Sequence, residues 1–126
     1  TSVREFMSTD LVTVEPTVNV TQAADRMFGR HTGSVLVLEQ GSLVGIFTER
    51  DILRALTSSS SADLARVSSV SRWMSADPVT IAPDATAADA LNQMLFGGFR
   101  HLPVVDGDDV VGVVSMRDLA KIIGTQ

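Results

Sequence analysis

Two segments of this sequence combine residue types and spacing that could do chemistry. They are Gly45-Ile46-Phe47-Thr48-Glu49-Arg50-Asp51 and Gly112-Val113-Val114-Ser115-Met116-Arg117-Asp118. Each runs from a glycine through two apolar residues to a hydroxyl residue, with an aspartate three places further on. The apolar run stops at the hydroxyl and a helix-forming stretch begins, which places the motif where a strand opens into a helix. Two readings fit this spacing. In a capping box, the Thr48 or Ser115 hydroxyl satisfies an orphan amide of the helix, and the Asp51 or Asp118 carboxylate sits near its positive end. In a small-ligand cradle, free amides face a phosphate and the carboxylate accepts both hydroxyls of a ribose. Spacing alone favours the cap, the commoner use of such a pattern.

Other candidates carry less. Arg50 and Arg117 precede the aspartates and could reach a phosphate, but a solvated place on the helix surface suits them as well. His31 and His101 lie far apart, with no cysteine and no His-x-x-x-His spacing, so no metal site is expected. Asp106-Gly107-Asp108-Asp109 resembles the start of a calcium loop, yet Arg117 falls where such a loop needs its bidentate glutamate, so a hairpin turn is expected. Phe6, Trp73, Met27 and Met94 read as core, and Gly97-Gly98 as a helix stop. With two histidines, no cysteine, no tyrosine and no carboxylate pair beside a base, catalysis is poorly supported.

Composition narrows the partners. A net charge of −5 and a pI near 4.8 disfavour nucleic acid, whose binding draws on a basic face. No apolar run approaches the roughly 18 residues of a membrane span. The absence of cysteine fits the cytosol. Thr1-Ser2-Val3-Arg4-Glu5 has no signal-like apolar stretch, and without an initiator Met the sequence reads as a piece of something larger.

The elements that must position the two motifs come from an internal repeat. Shifted by 67 residues, the chain meets itself without a gap, and 14 of the 54 positions in 3–56 are identical to their partners. Met7-Ser8-Thr9-Asp10 falls on Met74-Ser75-Ala76-Asp77, and Pro16 falls on Pro83. Each copy opens with a short strand (Leu11 to Val14; Val79 to Ile81). A helix follows, capped by Asn19 with Gln22 or by Thr86 with Asp89. Its apolar face is read as Val20, Ala23, Ala24, Met27 and Phe28, or as Ala87, Ala90, Leu91, Met94 and Leu95. Then come two strands, Val35 to Leu38 and Leu43 to Phe47, turning at Gln40-Gly41; the second copy has Leu102 to Val105 and Val110 to Val114. A last helix carries Ile52, Leu53, Ala55 and Leu56, or Leu119, Ala120, Ile122 and Ile123, with Gly124 as its stop. The expected fold is α+β, two tandem β-α-β-β-α repeats packed with pseudo-two-fold symmetry into one compact domain. Repeat one spans 1–57 and repeat two 70–126. A Ser-rich linker, 58–69, joins them, and residues 62–67 could add a helical turn.

The pattern Met-Ser-x-Asp-x-Val-Thr-x-x-Pro, the run Phe99-Arg100-His101-Leu102-Pro103-Val104-Val105-Asp106 and the two Gly-x-x-Thr/Ser-x-x-Asp segments resemble a tandem cystathionine β-synthase (CBS) domain pair, or Bateman module. The likeness runs from about residue 3 to 123. It implies a regulatory, energy-sensing module that binds AMP, ADP, ATP or S-adenosylmethionine in clefts between the repeats. The ligand would be regulatory, with no resident cofactor.

Carried over residue by residue, the resemblance gives the ribose hydroxyls to Asp51 and Asp118. Thr48 and Ser115 would lie by the ribose and phosphate. The first strands, Val12-Thr13 and Val79-Thr80, would line the base pocket. Arg100 and His101 would meet the phosphate at the Asp51 site, whereas the first copy has Gly33-Ser34 there, with Arg30 and His31 slightly upstream, so the Asp51 site is expected to bind a phosphate better than the Asp118 site. A homodimer is expected, and possible service to a larger regulated protein. The competing reading is a protein-interaction module that binds no ligand and keeps its motif residues as caps.

Overall fold

The structure, a computed structural model, describes residues 1–124 as a mixed α+β chain. It forms two compact units whose limits differ from those of the sequence repeats. One is continuous, Val12–Pro78; the other is split, joining Thr1–Leu11 to Val79–Gln126. The residues that open repeat one therefore fold with the body of repeat two. Residues 70–78, which open repeat two, fold with the body of repeat one.

In the continuous unit, β1 (Thr13–Val14) runs parallel to β2 (Ser34–Glu39), which pairs antiparallel with β3 (Ser42–Thr48). Between β1 and β2 lies α1 (Val20–Gly29), whose Asn19 side chain accepts from the Gln22 amide at 2.8 Å. The Gln22 side chain accepts in return from the Asn19 amide at 2.9 Å, completing the box read from the sequence. Gln40 and Gly41 both hold positive φ (52° and 82°), the geometry of a tight two-residue hairpin turn. After β3 come α2 (Glu49–Ser58), α3 (Ala62–Val67), α4 (Val70–Trp73) and β4 (Ser75–Ala76). Strand β4 adds antiparallel to β3, so the sheet order is β1-β2-β3-β4. Its core gathers Val14, Val20, Ala23, Met27, Val35, Val37, Phe47 and Trp73.

The split unit repeats that plan with shorter edges. Its helix α5 (Ala87–Gly97) is boxed by Thr86 and Asp89 and closed by Gly98 at φ 72°. Strands β5 (His101–Asp106) and β6 (Asp109–Ser115) form an antiparallel hairpin, and α6 (Met116–Gly124) follows. The expected strand Val79 to Ile81 contracts to one parallel bridge, Ile81 to Val104, and Ser8 bridges Val113 on the other side. These bridges stand where β1 and β4 stand in the continuous unit. A turn of 3-10 helix at Val3–Glu5 is tied down by Val3 N–H to the Ala85 carbonyl (2.8 Å) and Arg4 N–H to the Pro83 carbonyl (2.9 Å). Val3 is fully buried, with Phe6 and Met7 packed on the same core as Ile81, Met94, Leu102 and Leu119.

Burial corrects two expectations about the helices. Phe28 and Leu95, placed on buried faces by their spacing, are 84% and 66% exposed. On α2 the buried apolar residue is Ala55, while Leu53 and Leu56 face outward. Each apolar stripe is wider than the face that its unit's core covers. The segment expected as a linker is ordered: α3 places Ala65 in the core, and the Ser68 hydroxyl accepts from Trp73 Nε1 at 2.9 Å.

Candidate functional site

Both motifs fall where a strand opens into a helix. In the continuous unit, Thr48 ends β3 and caps α2. Its amide donates to Asp51 Oδ2 at 2.9 Å and its hydroxyl donates to the same oxygen at 3.3 Å. Asp51 Oδ1 accepts from Arg54 Nη1 at 2.8 Å, one helical turn on. That nitrogen also donates to the Trp73 carbonyl at 3.2 Å, linking α2 to α4. Asp51 is only 4% exposed, so its charge is met almost wholly by these protein donors. The first helical amide, Glu49 N–H, donates to the Gly33 carbonyl at 3.1 Å.

In the split unit the same frame is filled differently. Ser115 N–H donates to Asp118 Oδ2 at 3.1 Å, and Asp118 N–H donates to Ser115 Oγ at 3.1 Å, a reciprocal capping box. Met116 N–H donates to the Arg100 carbonyl at 2.8 Å, matching the Glu49 to Gly33 bond. Two amides at the start of α2 and three at the start of α6 thus already have protein acceptors. Asp118 is half-buried, and among the described residues it enters no salt bridge.

Around this second motif lies an open depression of about 280 Å³, lined by Arg100, His101, Ser115, Met116, Arg117 and Ala120. That is just under the roughly 300–1,000 Å³ of small-molecule sites, room for part of a nucleotide. Within the split unit, Arg100 and His101 therefore stand with Ser115 and Arg117, and two arginines line the depression. The equivalent positions beside Thr48 hold Gly33 and Ser34, the latter 5% exposed.

The first-strand candidates divide. Val12 is buried in the core and its carbonyl accepts from Leu36 N–H at 2.9 Å, while Thr13 is half-buried on β1. Val79 and Thr80 are exposed. Spacing missed Arg54, although an Asp51–Arg54 pair one turn apart is a signal that helix geometry supplies. It also left the Met of the Met-Ser-x-Asp run without a role. Met7 and Met74 fill the space over Gly112 and Gly45, the glycines that open the two motifs.

Comparison with known proteins agrees with this architecture. The CBS domain model matches residues 3–58 and 67–125. The CBS domain-containing protein YhcV of Bacillus subtilis is 36% identical over 94% of this chain and 83% of its own length. The crystal structure of a CBS-domain containing protein from Agrobacterium tumefaciens superposes with a TM-score of 0.89, at 31% identity, over 95% of this chain and 91% of that one. A CBS domain pair crystallised with 5′-methylthioadenosine and S-adenosyl-L-methionine gives a TM-score of 0.89 at 24% identity, over 99% of this chain and 97% of that one, a likeness of fold. With one match in each sequence copy, the chain belongs to the CBS domain family.

Proposed function

We propose that the chain is a regulatory module that binds an adenosyl ligand and passes its occupancy to a larger protein that carries or docks it. AMP, ADP, ATP and S-adenosylmethionine are the candidate ligands. The observation that carries this reading is Ser115, which lines a depression with Arg100, His101 and Arg117 and is hydrogen-bonded to the Asp118 carboxylate one turn on. A carboxylate at a strand end accepts the two hydroxyls of a ribose, and guanidinium groups take a phosphate in charge-assisted bonds. S-adenosylmethionine would offer them its carboxylate instead. No step of bond making is needed: a ligand that binds one arrangement better than another shifts the population towards it. The fold of a CBS pair solved with adenosyl ligands supports the ligand class, and this chain's own residues support the placement.

The test is thermal melting against AMP, ADP, ATP, S-adenosylmethionine, NAD and GTP. A ligand at a hundred times its dissociation constant stabilises by about 2.7 kcal/mol. For a chain of this size that is a shift of roughly 10 °C. A shift with one adenosyl ligand that disappears in Asp118→Ala supports the reading. A flat response across the panel overturns it and favours a module that docks a protein partner, a reading to which the completed capping boxes lend weight. A homodimer is part of the proposal in either case, and a sedimentation profile of pure monomer at tens of micromolar would count against it.

A further inference from the structure

We infer that Arg54 decides which copy of the motif takes the ligand: it occupies the Asp51 carboxylate, closes the first copy to a ribose, and leaves Asp118 as the ligand-bearing carboxylate. The inference rests on the adenosyl reading above and names the site within it. A ribose presents two O–H donors to the two oxygens of one carboxylate. At Asp51 both oxygens already accept protein donors. Oδ2 accepts the Thr48 amide and hydroxyl, and Oδ1 accepts Arg54. The Asp51 side chain is 5% exposed, so little of it remains for an outside donor. Evicting Arg54 would also break its bond to the Trp73 carbonyl, so an entering ribose must replace more than one contact.

The second copy differs at the residue that matters. Position 121, which matches 54 in the repeat, is Lys121, and among the described residues Asp118 makes its capping bonds with Ser115 and enters no salt bridge. One further feature differs between the copies: Val79 is open to solvent, while Val12 is buried in the core.

Calorimetric titration with AMP reads this directly, with circular dichroism confirming that each variant is folded. The wild type should bind one AMP per chain. Asp51→Asn should leave that binding in place, and Asp118→Asn should weaken it by at least about tenfold. Arg54→Gln should open a second site per chain, which Asp51→Asn then removes. Arg54→Lys installs the residue that the second copy already holds and should have the same effect if the glutamine variant fails to fold. Wild-type binding that Asp51→Asn abolishes overturns the inference and leaves the adenosyl reading standing. So does an unchanged stoichiometry in folded Arg54→Gln or Arg54→Lys. No binding by any variant overturns both.

Discussion

Met74 lies with its sulfur where a side chain on Gly45 would stand, and Met7 does the same at Gly112, 2.6 Å from the position of an added Cβ. The two methionines are equivalent in the repeat, as are the two glycines, yet each methionine covers the glycine of the other repeat. This exchange joins the Met-Ser-x-Asp run to the Gly-x-x-Thr/Ser-x-x-Asp run. The first supplies the lid over the strand that delivers the second. The thioether is pliable enough to fill that gap, and the glycine is needed because the approach is close.

Substituting the glycines should therefore destabilise unequally. At Gly45 every near atom belongs to the flexible Met74 side chain, whereas at Gly112 the backbone oxygen of Ser8 also lies 3.0 Å away. Gly112→Ala should cost about 1–3 kcal/mol, the usual range for overpacking, and Gly45→Ala less. Urea unfolding would measure both. Adding Met74→Ala to Gly45→Ala should cost less than the two single changes summed, because the clash is with that side chain.

Asparagine should distinguish the two aspartates by stability. At position 118 the carboxylate accepts an amide within a cap, a task that an asparagine oxygen also performs, so Asp118→Asn should cost well under about 1 kcal/mol. At position 51 the same change places a neutral amide against the Arg54 guanidinium in a nearly closed setting. Loss of a hydrogen bond to a charged group puts Asp51→Asn at about 1–3 kcal/mol. Equal melting temperatures for the two variants would show that Arg54 contributes nothing to the fold.

Much of this architecture was legible in the sequence because its signals are local. Asn19 with Gln22, Thr86 with Asp89 and the Gln40-Gly41 turn each state their geometry within four residues. The exchange of opening segments was not legible. Met7 aligns with Met74 whichever unit it joins, and a repeat offset carries no information about which copy closes on which. Helix periodicity likewise locates the apolar stripes but not their buried width, so it puts Phe28 and Leu95 on a buried face although both are exposed. For the site, the motif placed Thr48, Asp51, Ser115 and Asp118 at strand-to-helix junctions. The occupant of Asp51 needed the structure, since half of Arg54's role is a bond to Trp73, nineteen residues away.

Glu5 should titrate below the ordinary glutamate range. The Ser2 amide donates to its carboxylate at 2.6 Å, and that bond, with a second from the Ser2 side chain, favours the charged form. Because the folded value is depressed, the stability that this contact adds is present above the unfolded pKa and is lost as pH falls through the folded one. An NMR titration should find the Glu5 carboxyl shifted down in the wild type and partly restored in Ser2→Ala, since the larger, backbone contribution remains. A Glu5 that titrates like a free glutamate would show that the N-terminal turn is not held in solution.

The cations around the depression should separate phosphate recognition from recognition of the nucleoside. Arg100 and Arg117 border it, while the Ser115–Asp118 pair supplies the groups suited to a ribose. Arg100→Ala should weaken AMP by roughly tenfold, the scale of one charge-assisted contact, and leave adenosine nearly unchanged. Arg117→Ala should act in the same direction. Raising salt should weaken AMP more than adenosine, because a partly exposed ion pair is screened and an uncharged nucleoside makes none. Asp118→Asn should instead weaken both ligands together, since both carry the ribose. Equal losses of AMP and adenosine in Arg100→Ala would remove the arginine from the phosphate and make it a support for the strand it opens.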